Sequence, residues 1–321
     1  MKRVCLAGLL IGAMALAGGA RADEGPVPVL ATVGMIGDLA ATIGGDCAAV
    51  EVLIGAGSDP HIYQPRASDI SRLQAARVVL YEGFNLEGRL GAVLDRLRRD
   101  RVVVAVGEEA VPADILLTSH GAVDPHLWMD VSIWARLVPV IADVLGDERP
   151  RCKADIAARA AQLRTELAAL HAWARETLAS IPEGHRVLVT AHDAFGYFAR
   201  AYGLHEVAIQ GFSTESEASV ADIRSVAAEV VRSGVPAVFV ESTINPRTVQ
   251  AMLEAVAAQG GQVTLGGELY SDAMGQPGTA EGTYIGMIRA NVRTIAAALG
   301  GTPAPWPPDL AGWAERNGVT P

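Results

Sequence analysis

The apolar positions of this chain fall in short blocks whose period switches repeatedly between strand and helix. Val27 to Thr32 (VPVLAT) is a continuous apolar run that predicts a short buried strand, and Met35 to Ile43 carries apolar residues at helical spacing until Gly44-Gly45 stops it. Val50 to Ile54 predicts a second strand, Ala67 to Ala76 a helix, Val78 to Tyr81 a strand, Leu86 to Leu97 a helix and Arg101 to Val106 a strand. Such alternation is the grammar of a parallel sheet covered on both faces.

A helix is expected from Val131 to Leu145, ended by Gly146. It is followed by the longest periodic stretch in the protein, roughly Arg149 to Ser180. There Ile156, Ala160, Leu163, Leu167, Leu170, Ala174 and Leu178 recur at intervals of three and four. About 30 residues at 1.5 Å each make a rod of roughly 45 Å, longer than one small lobe is wide. This predicts a helix that crosses between two lobes; a long helix on the surface of one domain is the alternative.

The second half restarts the pattern. Arg186 to Thr190 followed by Phe195 to Tyr202 and Gly203 resembles Val29 to Thr32 followed by Met35 to Ile43 and Gly44, at an offset of about 158 residues. Val235 to Val240 and Gln262 to Leu265 read as strands, Asn245-Pro246 opens a helix through Ala258, and Tyr284 to Leu299 is a closing helix. The prediction is an α/β fold of two related lobes, each a small, mostly parallel sheet flanked by helices. The first lobe is expected over 23–148, the linking helix over 149–181 and the second lobe over 182–300. A Pro-rich tail follows over 301–321, in which Trp306 and Trp313 could pack against the body.

Residues 1–22 stand apart. Lys2 and Arg3 precede the uncharged apolar run Leu6 to Leu16, and Ala20-Arg21-Ala22 has a small-x-small cleavage pattern, so an exported mature chain is expected to begin at Asp23. The run is shorter than the roughly 20 residues that span a bilayer. Cys5 lies before it and cannot serve as a lipid-anchoring cysteine after cleavage. Removal of Lys2, Arg3 and Arg21 takes the formal charge from −10 to −10 − 3 = −13. That balance disfavours nucleic acid and anionic membranes as partners and mildly concentrates cations. Cys47 and Cys152 remain; they could pair in an oxidising compartment, but sequence separation does not settle distance in space, and no CxxC spacing offers a thiolate site.

Chemistry concentrates in a repeated turn. Asp59-Pro60-His61 and Asp124-Pro125-His126 lie 65 residues apart in a chain of seven histidines, which suggests two ligand-bearing loops converging on one site. His192 follows the strand that ends at Thr190, and Asp272 follows Gly267-Glu268-Leu269-Tyr270-Ser271. All four occupy loops at strand exits, where open α/β sheets bind ligands. Singly, each histidine reads better as a surface or capping residue, and Asp272 as a turn cap. His171, His185 and His205 read as solvated, and His120, in a loop near His126, is intermediate.

The combination shifts those odds. Asp59-Pro60-His61-Ile62-Tyr63-Gln64-Pro65, Asp124-Pro125-His126-Leu127-Trp128-Met129-Asp130, Ala191-His192-Asp193-Ala194-Phe195-Gly196-Tyr197-Phe198, Val240-Glu241-Ser242 and Gly267-Glu268-Leu269-Tyr270-Ser271-Asp272 resemble the zinc and manganese solute-binding proteins of bacterial ABC importers. The resemblance spans about Val27 to Leu299 in the family's order. It implies two lobes joined by one long rigid helix, with a single divalent metal ion in the cleft as transported ligand. His61 and His126 would come from the first lobe and His192 and Asp272 from the second. It further implies a periplasmic, non-enzymatic monomer whose partner is a membrane permease, with no organic substrate.

Many zinc-dedicated members carry a histidine-rich loop before the second Asp-Pro-His, where this chain has only His120; many manganese-dedicated members have a glutamate in place of His192. Three imidazoles and one carboxylate favour zinc, with manganese possible. Two competing readings are a secreted metallo-hydrolase using Glu241 or Asp193 as base, and a binder of a metal chelate such as haem or a siderophore. The first lacks HExxH and GxSxG, and the second would need aromatic or arginine-rich pocket walls.

Overall fold

The computed structural model describes residues 25–119 and 121–320, so the expected signal segment and His120 lie outside the described residues. The first lobe contains β1 (Val27–Val33), α1 (Gly34–Gly44), β2 (Ala48–Ile54), α2 (Ala67–Ala75), β3 (Val78–Tyr81), α3 (Gly91–Leu97), β4 (Val102–Ala105) and α4 (Val106–Ala110). A short hairpin of β5 (Thr118–Ser119) and β6 (Ala122–Val123) leads to α5 (Val131–Trp134) and α6 (Leu137–Glu148). The long helix α7 spans Lys153–Ala179. The second lobe follows as β7 (Val187–His192), α8 (Gly196–Tyr202), β8 (His205–Gln210), α9 (Val220–Ser233), β9 (Ala237–Glu241), α10 (Arg247–Ala258), β10 (Thr264–Leu269) and α11 (Tyr284–Ala298), before α12 (Ala311–Arg316).

The first sheet is wholly parallel in the order β2-β1-β3-β4. Its strands match their burial. Central β1 is buried on both faces, as a continuous apolar run requires, whereas edge strand β2 alternates between partly buried and exposed residues until it ends in the buried Leu53 and Ile54. In the second lobe β8 pairs in parallel with β7 and β10 with β9, and β7 runs alongside β9. The resulting sequence β8-β7-β9-β10 repeats the order of the first lobe.

Helix α7 packs on α1, α5 and α6 of the first lobe and on α8 and α11 of the second. Its 27 residues make a rod of about 40 Å. A single apolar core runs through both lobes and the helix. The Cys47–Cys152 disulfide ties the α1–β2 junction to the start of α7, and Arg159, about two turns further on, donates to the carbonyls of Ile43 and Gly44.

Several expectations are corrected. The helix expected over Val131 to Leu145 is broken after Trp134, and Gly146 lies inside α6. The helix expected from Leu86 starts only at Gly91, because Phe84 and Asn85 turn the chain with positive φ of 50° and 63°. Strand β10 continues through Gly266-Gly267 to Leu269, beyond the Leu265 at which the expected strand ends. A Cβ at Gly266 would meet Phe239, Ala298 and Ala237 at 2.7–3.0 Å, so glycine there reflects close packing. His205 opens strand β8, although it read as a turn residue. The tail is fastened: Thr302 N and Ala304 N donate to Ser180 and Thr177, and Trp306 stacks between Trp173 and Trp313.

One lobe contact carries a pH consequence. Asp38 of α1 accepts from the amide of Tyr284, the first residue of α11, at 3.0 Å. Burial pushes its carboxyl up to about 6 from 3.8, although that amide pulls the other way. The raised value means that Asp38's contribution to stability is fully present below pH 3.8 and is lost as pH rises through about 6. A shift of about two units corresponds to about 3 kcal/mol. Asp38→Asn keeps an acceptor without the charge. It is therefore expected to raise the stability of the metal-free protein at pH 8 by about 1–3 kcal/mol and leave it little changed at pH 4, read by urea unfolding at both pH values.

Candidate metal centre

Four strand exits converge between the lobes. The loop after β2 presents His61; the hairpin after β4 leads to His126; His192 is the last residue of β7; and Asp272 lies three residues beyond β10. All four are buried, and one ligand atom from each lies within 4.8 Å of those from the others. His61 Nε2 and His126 Nε2 are 3.3 Å apart, Asp272 Oδ1 is 3.2 Å from His126 Nε2, and Asp272 Oδ2 is 3.3 Å from His192 Nε2. The wider edge is His61 Nε2 to Asp272 Oδ2, at 4.0 Å. Yet His192 Nε2 and both Asp272 oxygens are buried without a hydrogen bond. They stand close to one another without bonding to one another. Ligands at 2.0–2.1 Å from a tetrahedral zinc ion stand about 3.3–3.4 Å from each other, which is the spacing of three of these edges.

The surrounding residues orient the rings. Asp124 Oδ1 accepts from both His126 N (3.0 Å) and His126 Nδ1 (2.7 Å), which turns Nε2 towards the centre. Glu241, the last residue of β9, accepts from the Ala191 and His192 amides with Oε1 and from His192 Nδ1 with Oε2. Trp128 Nε1 donates across the cleft to Ser271 O, and Tyr284 Oη donates to Trp128 O, fixing the loop that carries Asp272 against the loop that carries His126. Tyr197 Oη donates to Asp124 O.

Electrostatics separates the three histidines. Burial lowers His61 to about 3 despite the nearby Asp272. Burial also opposes protonation of His126, but Asp124 and Asp272 together push it up to about 9. His192 is raised well above its ordinary value by Glu241 and Asp272 against the same burial cost. Asp272 would be raised by burial, but His192 and His126 hold it well below the usual carboxylate range. The carboxylate of Asp272 thus favours the protonated forms of His126 and His192, while burial disfavours that of His61.

Residues 29–298 match the family described as ZnuA, zinc-uptake complex component A periplasmic. The chain belongs to that family. The zinc-binding protein TroA of Treponema pallidum (strain Nichols) is 40% identical over 303 residues, covering 93% of this chain and 98% of that protein. The manganese-binding lipoprotein MntA of Bacillus subtilis (strain 168) is 38% identical over 307 residues, covering 93% and 100%. The solved structure of the periplasmic zinc-binding protein TroA from Treponema pallidum aligns with a TM-score of 0.83 at 42% identity, covering 85% of this chain and 99% of that one. Two lobes of parallel sheet around a long helix, expected from the sequence, are therefore the family fold.

The remaining histidines hold other posts. His171 packs on the ring of Tyr202 and lies 3.9 Å from Asp130, and His185 Nδ1 sits 3.1 Å from Leu299 O; both are half-buried and structural where a solvated role was expected. His205 is exposed. In the sequence Glu241 stands within the motif Val240-Glu241-Ser242, and the one role it suggests there is that of base in a competing hydrolase. Its place at the end of the strand beside the one bearing His192 was the available signal for a supporting role.

Proposed function

We propose that the protein captures one divalent transition-metal ion, zinc first and manganese second, between His61, His126, His192 and Asp272, and delivers it to the permease of an ABC importer. The observation that carries this is the buried convergence of three imidazole nitrogens and a carboxylate, two ligands from each lobe, with His192 Nε2 and Asp272 left without hydrogen bonds. A mostly nitrogen set suits zinc, while the two free oxygens of Asp272 could both serve a manganese ion. The lobes are 23–148 and 182–300, with 149–181 linking them.

The protein is not an enzyme on this reading. Four side chains fill a tetrahedral shell and leave no position for a reacting water. Glu241, the candidate base, is committed with both oxygens to His192 and Ala191. The site is complete within one chain, which supports a monomer. The Bacillus relative is called a lipoprotein. We read this chain as periplasmic, as the family description has it.

The test is elemental analysis of the untagged mature protein, then competition between zinc and manganese in wild type and His192→Ala. One bare ion per chain, lost in the variant, supports uptake. Ester or peptide turnover, or a co-purifying organic ligand, would overturn it. The supporting carboxylates make a second expectation. Glu241→Gln and Asp124→Asn are each expected to weaken zinc binding about 10- to 100-fold, measured against a chromogenic chelator, with one ion still bound at saturation.

A further inference from the structure

The two Asp-Pro-His turns are alike in sequence and differ in use. Asp124 spends one oxygen on both the amide and the ring of His126. Asp59 Oδ1 accepts from the His61 amide, at 2.9 Å, and among the described residues no carboxylate is hydrogen-bonded to His61 Nδ1. Its other oxygen, Oδ2, accepts from Thr214 Oγ1 of the second lobe at 2.5 Å. Thr214 lies in the segment Gly211–Ser219 that joins β8 to α9, and the next residue, Glu215, faces Arg89 of the first lobe at 3.9 Å.

This segment therefore crosses the cleft at two adjoining points on the side of His61. That is also the open side: His61 is the most exposed of the four at 4%, and the neighbouring Ile62 is 43% exposed. The bonds Trp128 to Ser271 and Tyr284 to Trp128 close the opposite, buried side. Of the three histidines, His61 thus has the least support of its own, and what support it has runs through Asp59 to a hydroxyl of the other lobe.

We propose that Thr214 is a positioning residue for metal retention, acting through Asp59 on His61, so that breaking the Thr214–Asp59 hydrogen bond frees His61 and opens the route by which the ion leaves. The inference rests on the reading of His61 as a ligand. It gives the cleft a latch made of one side-chain hydrogen bond between the lobes, which needs no rotation of either lobe about α7.

The experiment compares wild type, Thr214→Val, which keeps the shape without the donor, and Thr214→Ser, which keeps the donor. Zinc-loaded protein is mixed with excess chromogenic chelator, and the release rate is followed beside the association rate and the melting temperature of the metal-free form. Thr214→Val is expected to release zinc about tenfold faster, equivalent to about 1.4 kcal/mol. Its association rate should stay within about twofold and its metal-free melting temperature should not change, since the lost bond is a single half-exposed contact. Thr214→Ser should release at the wild-type rate. A Thr214→Val release rate within twofold of wild type overturns the proposal, as does a Thr214→Ser rate equal to that of the valine variant. A metal-free Tm lowered in the valine variant also overturns it, by assigning the effect to general loosening. Wild-type protein that holds no stoichiometric ion would sink the ligand assignment itself, which is a different result from an ion that leaves at an unchanged rate.

Discussion

Asp272→Ala is expected to weaken zinc binding by about 10²- to 10³-fold. Binding of a four-ligand structural zinc ion is worth about 10–16 kcal/mol, or about 2.5–4 kcal/mol for each ligand, and about 1.4 kcal/mol is a factor of ten. Asp272 should stand at the upper end of this range, because it would be the centre's sole negative ligand and its two oxygens face different histidines, Oδ1 towards His126 and Oδ2 towards His192. The loss should appear in competition with a chelator of known affinity. An Asp272→Ala protein that kept zinc within tenfold of wild type would exclude Asp272 as a ligand.

The same carboxylate sets the pH response. His126 is raised to about 9 and His192 is raised as well, so protonation of both rings is favoured in the metal-free protein. These raised values help to hold the metal-free fold together below the ordinary histidine pKa of 6.5, and for His126 that help is lost as pH rises through about 9. A metal ion must displace the protons, so affinity falls as pH falls, by about tenfold per unit for each proton released. Calorimetry in buffers of different ionisation enthalpy should count nearly two protons per zinc ion at pH 7 in wild type. Asp272→Ala removes a partner of both rings, so fewer protons should be released.

Most of the fold was legible because its strong signals are local. The runs that became β1, β3 and β9 are continuously apolar, as strands buried on both faces must be, and α7 announces itself by seven apolar residues at intervals of three and four. What was missed lay at the edges. β8 is an edge strand with little buried surface, and α9 was passed over despite the Ser219–Asp222 capping box that marks its start. The four residues that the structure brings together, His61, His126, His192 and Asp272, were legible as a set through the family's motifs. Their supports were not, because Glu241 and Thr214 meet His192 and Asp59 only through pairings 49 and 155 residues apart in the chain.

The disulfide belongs to the same class of non-local facts, and it carries the second large effect. Cys47 and Cys152 are 105 residues apart in sequence, so the bond closes a loop that contains the first lobe from β2 onward and leaves out β1 and α1. Crosslinking a loop of about 100 residues restricts the unfolded chain by about 4.7 kcal/mol in the chain-entropy account, and native bonds commonly contribute about 2–5 kcal/mol. Cys47→Ser/Cys152→Ser should therefore unfold at lower urea, with a stability loss of about 2–5 kcal/mol in the metal-free protein. Zinc-loaded protein should recover part of that loss by mass action, since the ion binds only the folded form. Stoichiometry should remain one ion per chain, because neither cysteine touches the centre and Arg159 still holds the start of α7 to the carbonyls of Ile43 and Gly44. If the double variant instead lost its ion while remaining folded, the seating of α7 on the first lobe would be part of the metal site. The lobes would then be coupled to the ion through the helix as well as through the cleft.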